Sequence, residues 1–426
     1  MKTLLVASTR PEVIKLSPVM RALEKHGLDY LFVTTGQHYD YALFEGFIRD
    51  LGLREPDCNI RVGSGSQAYQ TSRALVALEK LMIKKKPSVV IVEGDTNSVL
   101  SSALAAVKLC IPVAHVEAGL RSHDKNMPEE VNRIVADHCS ELLFAPTETA
   151  GLNLINEGIM PGKIFIVGNT IVDATLNNLE VAKRKGVRKF HGDYLVLTLH
   201  RAENVDDKGR LKGIIEAVDS LGEKVVFPAH PRTVKRLEDF GLGEMRNIHI
   251  IEPLGYLEFL MLLSRAKAVL TDSGGIQEEA LVLKVPCFTL RTTTERPESV
   301  ETGGNMIVGV RKEEIIARIS GALQDRERIT MMRRAKNPFG DGKSGERIVG
   351  ILRDKYEKDE LSIHTPNFTR GLWKRKVISV NEELEGKRIG ELELEVTRVI
   401  NDEKEMFPRK KLKLKKGQVI EIIEKP

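Results

Sequence analysis

Leu270-Thr271-Asp272-Ser273-Gly274-Gly275-Ile276-Gln277-Glu278-Glu279 follows the run 266–270, which reads as a buried strand, and leads into a series of good helix formers. Between strand and helix stand one serine and two glycines, residue types that let backbone amides approach a ligand closely. A turn of this kind at a helix start is an anion cradle, because free amides and the helix dipole face the same way. Glu279, about one and a half turns further on, is an acceptor for sugar hydroxyls. Taken alone, the stretch fits an ordinary strand–turn–helix equally well. What surrounds it decides between the two.

Working outward, short β-prone runs alternate with helical stretches on both sides of this turn. The first series is 3–7, 30–34, 89–93, 112–116, 142–145 and 163–167. The second is 194–199, 224–228, 248–251, 268–271 and 285–290. The runs lack strict polar alternation, as parallel strands covered on both faces do. Two such series predict an α/β protein of two doubly wound Rossmann-like domains. The expected division is a first domain over 1–170, a second over 171–358 (its last helix packing back on the first domain), a linker over 359–371 and a small β-rich module over 372–426.

A chain of 426 residues suits two cores and an appendage better than one core. Its 65 basic and 60 acidic residues leave a net charge of only +5, which gives no sign of a nucleic-acid partner. The four cysteines are widely spaced, without a CxxC pair, and read as reduced thiols. With no leader and no apolar run near the length of a membrane span, the expectation is a cytoplasmic protein without a membrane partner.

Ligands in doubly wound folds bind beyond the carboxyl ends of strands. There the polar residues gather. Arg10, before Pro11, follows the first strand and is expected in a loop, with Lys15 nearby. Asp95 follows the third, where it serves equally as a helix N-cap. His115-Val116-Glu117 follows the fourth, and Met127-Pro128-Glu129-Glu130 opens a helix soon after. In the second half His200 follows the first strand, His230 the second, and Arg296 the fifth. The His-x-Glu pair has no third ligand at suitable spacing, so no metal is expected. Gly63-x-Gly65-x-x-Ala68 does not close the first strand of a βαβ unit. Gly342-Lys343-Ser344 lacks the first glycine of a phosphate loop, since Asn337 stands there. No nucleotide cofactor is therefore expected.

The motifs Thr9-Arg10-Pro11-Glu12-x-Ile14-Lys15, Gly94-Asp95-Thr96, His115-Val116-Glu117-Ala118-Gly119-Leu120-Arg121, Pro128-Glu129-Glu130-x-Asn132-Arg133, Gly168-Asn169-Thr170-x-x-Asp173, His200-Arg201-x-Glu203, the Ser-Gly-Gly turn, Thr293-Thr294-Glu295-Arg296-Pro297-Glu298 and Asn337-Pro338-Phe339-Gly340-Asp341-Gly342 closely resemble those of the non-hydrolysing UDP-N-acetylglucosamine 2-epimerases, over about residues 2–355. The resemblance implies a glycosyltransferase B-like fold with the nucleotide sugar in an interdomain cleft, a homodimer, and interconversion of UDP-GlcNAc and UDP-ManNAc through 2-acetamidoglucal and UDP. It implies further that Ser273, Gly274, Gly275, Arg10 and His200 hold the diphosphate, and that Glu279 takes the ribose. Asp95, Glu117 and Glu129 are the implied proton-transfer and cation-stabilising carboxylates, with His230 and Arg296 completing the site.

An epimerase for a related acetamido or diacetamido UDP-sugar or uronic acid shares these motifs. A retaining glycosyltransferase is disfavoured by the three carboxylates, and so is a silent nucleotide-sugar sensor. Where the bacterial members often carry Gln-His-Arg-Glu-Met, this chain has Gln37-His38-Tyr39-Asp40-Tyr41. That departure puts their allosteric activation in doubt, while Gln37, His38, Gln70 and Arg73 offer a variant site. Beyond the family's end, Leu384-x-Gly386-Lys387-x-Ile389-x-x-Leu392 and Leu412-x-Leu414-x-x-Gly417-Gln418-Val419-Ile420 resemble a small TrkA-C regulatory module. Such a module implies a small-molecule effector at the C-terminus. With about fifty residues its core is marginal, and it is expected to dimerise or dock.

Overall fold

The computed structural model describes residues 1–36, 41–187, 190–243, 245–363, 374–392, 394–401 and 404–424. Gln37 and His38 lie outside them. The chain divides into two compact units, and neither is a continuous stretch of sequence.

Unit one comprises Met1–Tyr41, Glu55–Thr170 and Lys343–Pro426. Its main sheet has seven parallel strands: β1 (Thr3–Ala7), β2 (Tyr30–Thr34), β3 (Cys58–Asn59), β4 (Val89–Glu93), β5 (Val113–Val116), β6 (Leu142–Ala145) and β7 (Ile164–Ile166), in the order β3-β2-β1-β4-β5-β6-β7. Every residue of β1 and β4 is buried, as strands covered by helices on both faces require. The strand order reverses between β1 and β4. At that switch point the chain leaves β1 into helix α1 (Arg10–Lys25) and β4 into helix α2 (Asn97–Lys108). Helix α3 (Pro128–Cys139) follows β5.

Unit two comprises Ala42–Arg54 and Ile171–Gly342. Its six parallel strands are β8 (Leu195–Thr198), β9 (Val225–Pro228), β10 (Ile248–Ile251), β11 (Ala268–Thr271), β12 (Cys287–Thr289) and β13 (Asn305–Ile307), ordered β10-β9-β8-β11-β12-β13. The switch point here falls between β8 and β11, and β11 leads into helix α4 (Gly274–Val282).

The division expected at residue 358 falls instead at 342. Helix α5 (Ser344–Glu357) belongs to unit one and packs along α1. Gly345 makes that approach possible, since a β-carbon there would stand 2.6 Å from the Pro18 carbonyl oxygen. Glu346 adds ion pairs to Lys25 and His26.

The C-terminal residues form an antiparallel sheet of β14 (Lys374–Ser379), β15 (Glu395–Asn401), β16 (Lys404–Met406) and β17 (Val419–Glu424), ordered β14-β17-β15-β16. It has its own small core around Val399, Leu414 and Ile420. It is not free-standing, however. Phe407 sits in the cluster of Ala150, Leu154 and Ile164, Arg398 donates to Asn156 at 2.9 Å, and Arg409 pairs with Glu148 at 2.8 Å. A cavity of about 730 Å³ lies in the same junction, among Ile166, Ile351, Leu392 and Phe407. A core this small gains stability by covering apolar surface of its neighbour. Among the described residues no helix is long and apolar enough to cross a membrane.

Candidate active site

In unit one the functional side chains start from three strand ends. Arg10, expected in a loop, is the first residue of α1, and Pro11 follows it. Proline fits there because first-turn amides have no helical partner anyway. Lys15 lies further along the same helix. Its Nζ reaches Glu117 Oε2 at 2.6 Å and Glu93 Oε1 at 3.1 Å. Glu117 also accepts a bond from Asn169 Nδ2 at 2.8 Å. Its backbone sits at φ +70°, a left-handed conformation costly for a side chain of this kind and concentrated at functional sites.

Glu93 was not singled out from the sequence, although a carboxyl ending an otherwise apolar strand is a readable signal. It is buried at 1% exposure. Burial pushes its carboxyl well above the usual carboxylate range, against the Lys15 ammonium and together with the neighbouring Glu117 and Glu12. Glu12 in turn accepts from the Ser8 and Thr9 amides and from Thr96 Oγ1, tying the β1–α1 and β4–α2 turns together.

Asp95 is partly exposed, and its Oδ2 takes a bond from Arg133 at 2.5 Å. Asn132 Nδ2 holds the Asp95 carbonyl at 2.9 Å. Thr96, not Asp95, caps α2 through its hydroxyl. The capping role that Asp95 alone would have fitted therefore falls to its neighbour. Glu129 is exposed in the first turn of α3, whereas Glu130 beside it is buried. Glu130 accepts from the Ser122 and His123 amides, each at 2.9 Å, and from Arg133. Burial opposes its charge, yet those amides and Arg133 hold it below the ordinary range.

Beneath these residues lies a buried polar cluster. His115 Nδ1 donates to Asp137 at 2.6 Å and Nε2 to the Gly94 carbonyl at 2.8 Å. Burial opposes the charged ring, but Asp137 and the Gly94 carbonyl raise its pKa. Arg121 closes the cluster on Asp137 and Glu157.

In unit two, Ser273 stands at the N-cap of α4 without a side-chain cap bond. The first amides of the helix, those of Gly274 and Gly275 among them, consequently have no intrahelical acceptor. A β-carbon at Gly274 would lie 2.7 Å from Arg296 Nη1, whereas one at Gly275 meets no protein atom within 4 Å. Arg296 reaches Glu278 at 3.3 Å. Glu295 binds Arg291 at 2.7 Å and Arg201 at 3.1 Å, and these arginines with Arg296 hold its carboxyl low despite burial. Asp272 accepts from the His200 and Arg201 amides and from Asn204, and lies 3.0 Å from His200 Nδ1. Burial opposes its charge, but His200 and the other donors keep it below the ordinary range. The His200 side chain is 53% exposed, with its other nitrogen available to a ligand. Glu279 is buried and accepts from the Tyr256 hydroxyl at 2.9 Å.

His230 is less integrated. It is an exposed N-cap whose Nδ1 accepts from the Arg232 amide at 3.2 Å. Gln70 accepts from Asn97, and Arg73 donates to Tyr69. Lys15 and Glu117 are thus in contact in unit one, and Ser273, Gly274, Gly275, Arg296 and His200 gather around the β11–α4 turn in unit two, while His230 stands apart at the end of β9. Asp272, Arg133, Asn169 and Tyr256 join them as supports that pattern reading had left without a role.

A sequence model described as UDP-N-acetylglucosamine 2-epimerase matches residues 21–353. The UDP-N-acetylglucosamine 2-epimerase of Methanocaldococcus jannaschii is 54% identical over 367 residues, 83% of this chain and 99% of that one. The UDP-2,3-diacetamido-2,3-dideoxy-D-glucuronate 2-epimerase of Pseudomonas aeruginosa is 41% identical over 362 residues, again 83% of this chain and 99% of its own. The crystal structure of the M. jannaschii UDP-GlcNAc 2-epimerase in complex with UDP-GlcNAc and UDP covers 83% of this chain and 100% of that chain, at 52% identity and a TM-score of 0.76. The family match ends before the C-terminal sheet, and on it and on the 54% identity the chain belongs to the UDP-N-acetylglucosamine 2-epimerase family.

Proposed function

We propose that this protein is a non-hydrolysing epimerase that interconverts UDP-N-acetylglucosamine and UDP-N-acetylmannosamine. The observation that carries the reading is Glu117, a buried carboxylate aimed by Lys15 and Asn169 from a strained backbone at the carboxyl end of β5, the strand beside β4. In the forward step the C1–O bond to the diphosphate breaks and UDP leaves with the electron pair. The C2–H bond then breaks, its electrons form the C1–C2 double bond of 2-acetamidoglucal, and a carboxylate takes the proton. Re-addition of UDP, with a proton delivered to the other face of C2, completes the inversion. Asp95, Glu117 and Glu129 are the proton-transfer and cation-stabilising groups.

The open amides at the start of α4, with Arg296 and His200, hold the diphosphate as its charge grows. Glu279, oriented by Tyr256, takes the ribose hydroxyls. The active form is a homodimer acting in the cytoplasm, where unpaired cysteines persist.

Incubation with UDP-GlcNAc alone in deuterated water, followed by NMR, tests the reading. The expected product carries inverted C2 and deuterium at that carbon, without net loss of UDP-sugar. Inversion without deuterium, or hydrolysis to free sugar and UDP, would overturn it. A second reading, epimerisation of a diacetamido uronic acid, draws on the 41% identity to the P. aeruginosa enzyme. Turnover of that substrate with none of UDP-GlcNAc would favour it.

A further inference from the structure

Two carboxyls and one ammonium meet at the end of β4. Lys15 Nζ lies 2.6 Å from Glu117 and 3.1 Å from Glu93, and all three side chains are at most 13% exposed. The remaining titratable neighbour is Glu12 on α1, which burial also pushes up but whose carboxyl accepts from Ser8, Thr9 and Thr96, bonds that pull it back toward the ionised form. One lysine cannot balance both Glu93 and Glu117 where water is excluded, so one of the two keeps a proton. Glu117 accepts from Lys15 and Asn169, and both donors favour its ionised form. Glu93, the deeper of the pair, has the longer ion-pair contact to the same lysine, and its buried Oε1 makes no hydrogen bond. The proton therefore belongs on Glu93.

We propose that Glu93 is a positioning residue whose protonated carboxyl donates to the Glu117 carboxylate and, with Lys15 and Asn169, holds Glu117 ionised in one orientation toward the substrate. The proposal rests on the epimerase reading and goes beyond it, because it assigns Glu117 as the group that enters the reaction deprotonated. When Glu117 removes the C2 proton, that proton resides on Glu117 and the one on Glu93 stays in place. The pair then holds two protons against one ammonium, and the glucal and UDP take up the electrons of the broken bonds. Ionising Glu93 at high pH replaces a hydrogen bond to Glu117 with a second negative charge. The consequence is an alkaline loss of turnover that belongs to Glu93.

The decisive variant is Glu93→Gln, nearly isosteric, able to donate to Glu117 and unable to titrate. Its expected kcat at neutral pH is within about 3-fold of the parent, with the alkaline limb of the kcat profile removed. Glu93→Leu, which donates nothing, is expected to lose about 10-fold or more in kcat with KM changed far less. A Glu93→Gln enzyme with the parent's alkaline limb intact would overturn the proposal, as would a Glu93→Leu enzyme with parental kcat. Infrared difference spectroscopy supplies a readout independent of turnover. The parent at neutral pH should show a protonated buried carboxyl stretch that Glu93→Gln lacks; its absence from the parent sinks the proposal even if epimerisation is intact. A parent with the stretch but no epimerase activity sinks the functional reading and leaves the carboxyl pair standing.

Discussion

Glu129 and Glu130 are adjacent in sequence and opposite in circumstance, one exposed and the other buried with two backbone amides and Arg133 bonded to it. Glu129→Gln is expected to lower turnover by about 100-fold, as are Asp95→Asn and Glu117→Gln, with UDP affinity nearly unchanged. Glu130→Ala instead leaves buried donors without an acceptor and should cost about 2 kcal/mol of stability. Comparing kcat and thermal melting across the four variants checks the division. Near-parental turnover in all three amide variants would remove these carboxylates from the mechanism. The two glycines of the turn separate in the same way. Alanine at Gly275 has room in the protein and an ordinary backbone angle, since this glycine is not among those at positive φ. Its effect should be lost UDP affinity at unchanged stability. Alanine at Gly274 collides with Arg296 and should lower both. Calorimetric titration with UDP reads the first effect, and a normal affinity in Gly275→Ala would reduce the turn to plain architecture. These pairs also mark how far sequence reading reaches. Residue types at strand ends announced the site, but which neighbouring glutamate is buried depends on how α3 sits against the 122–123 amides.

At the scale of elements, the parallel strands were legible because their apolar runs are nearly unbroken. Three short ones were not: β3, β13 and β16 run two or three residues each, and they lack the longer apolar runs that made the equally short β7 and β12 readable. The support around the strand ends was hidden for another reason, since it joins residues distant in sequence. His115 at the end of β5 bonds the Gly94 carbonyl after β4 and Asp137 in α3, so one buried ring ties together the segments that carry Asp95, Glu117 and Glu129. The His-x-Glu spacing that raises the thought of a metal belongs to that tie. Three carboxylates in these corners, Glu130, Asp137 and Asp272, are held below their ordinary range by bonded donors after opposing burial. A depressed carboxylate adds stability above its unfolded pKa of about 4, and that stability is lost as pH falls through the folded value. Raised Glu93 works in the other direction, its proton being lost as pH climbs, at a cost to the folded state. The melting temperature should therefore fall on the acid side below about pH 4. Asp272→Asn should melt lower at neutral pH and show a shallower acid decline. An acid limb identical to the parent's would show that Asp272 does not contribute to it.

For the molecule as a whole, the largest revision concerns the two ends of unit one. The return of the last helix to the first domain is expected from the sequence, but nothing in the run 344–357 announces that its partner is α1, over three hundred residues earlier, or that the division falls before the helix. The C-terminal sheet was expected from its strand-like runs, and its docking rests largely on Phe407 against unit one. Phe407→Ala is expected to cost about 3 kcal/mol and to loosen the sheet, with turnover close to parental. Ending the chain after Lys358 should likewise preserve turnover while exposing Ile164 and Ile166. Hydrogen exchange in β7 and steady-state kinetics check both, and an inactive but folded truncated chain would place the sheet within the catalytic machinery. The return of the chain to α1 also bears on how the protein is made. On the ribosome, most of unit two emerges before helix α5 exists, so the second unit can complete its core while the first, though synthesised earlier, still lacks a covering helix and exposes one face of α1. Birth order and folding order are thus reversed, and the N-terminal half depends longest on whatever guards unfinished chains.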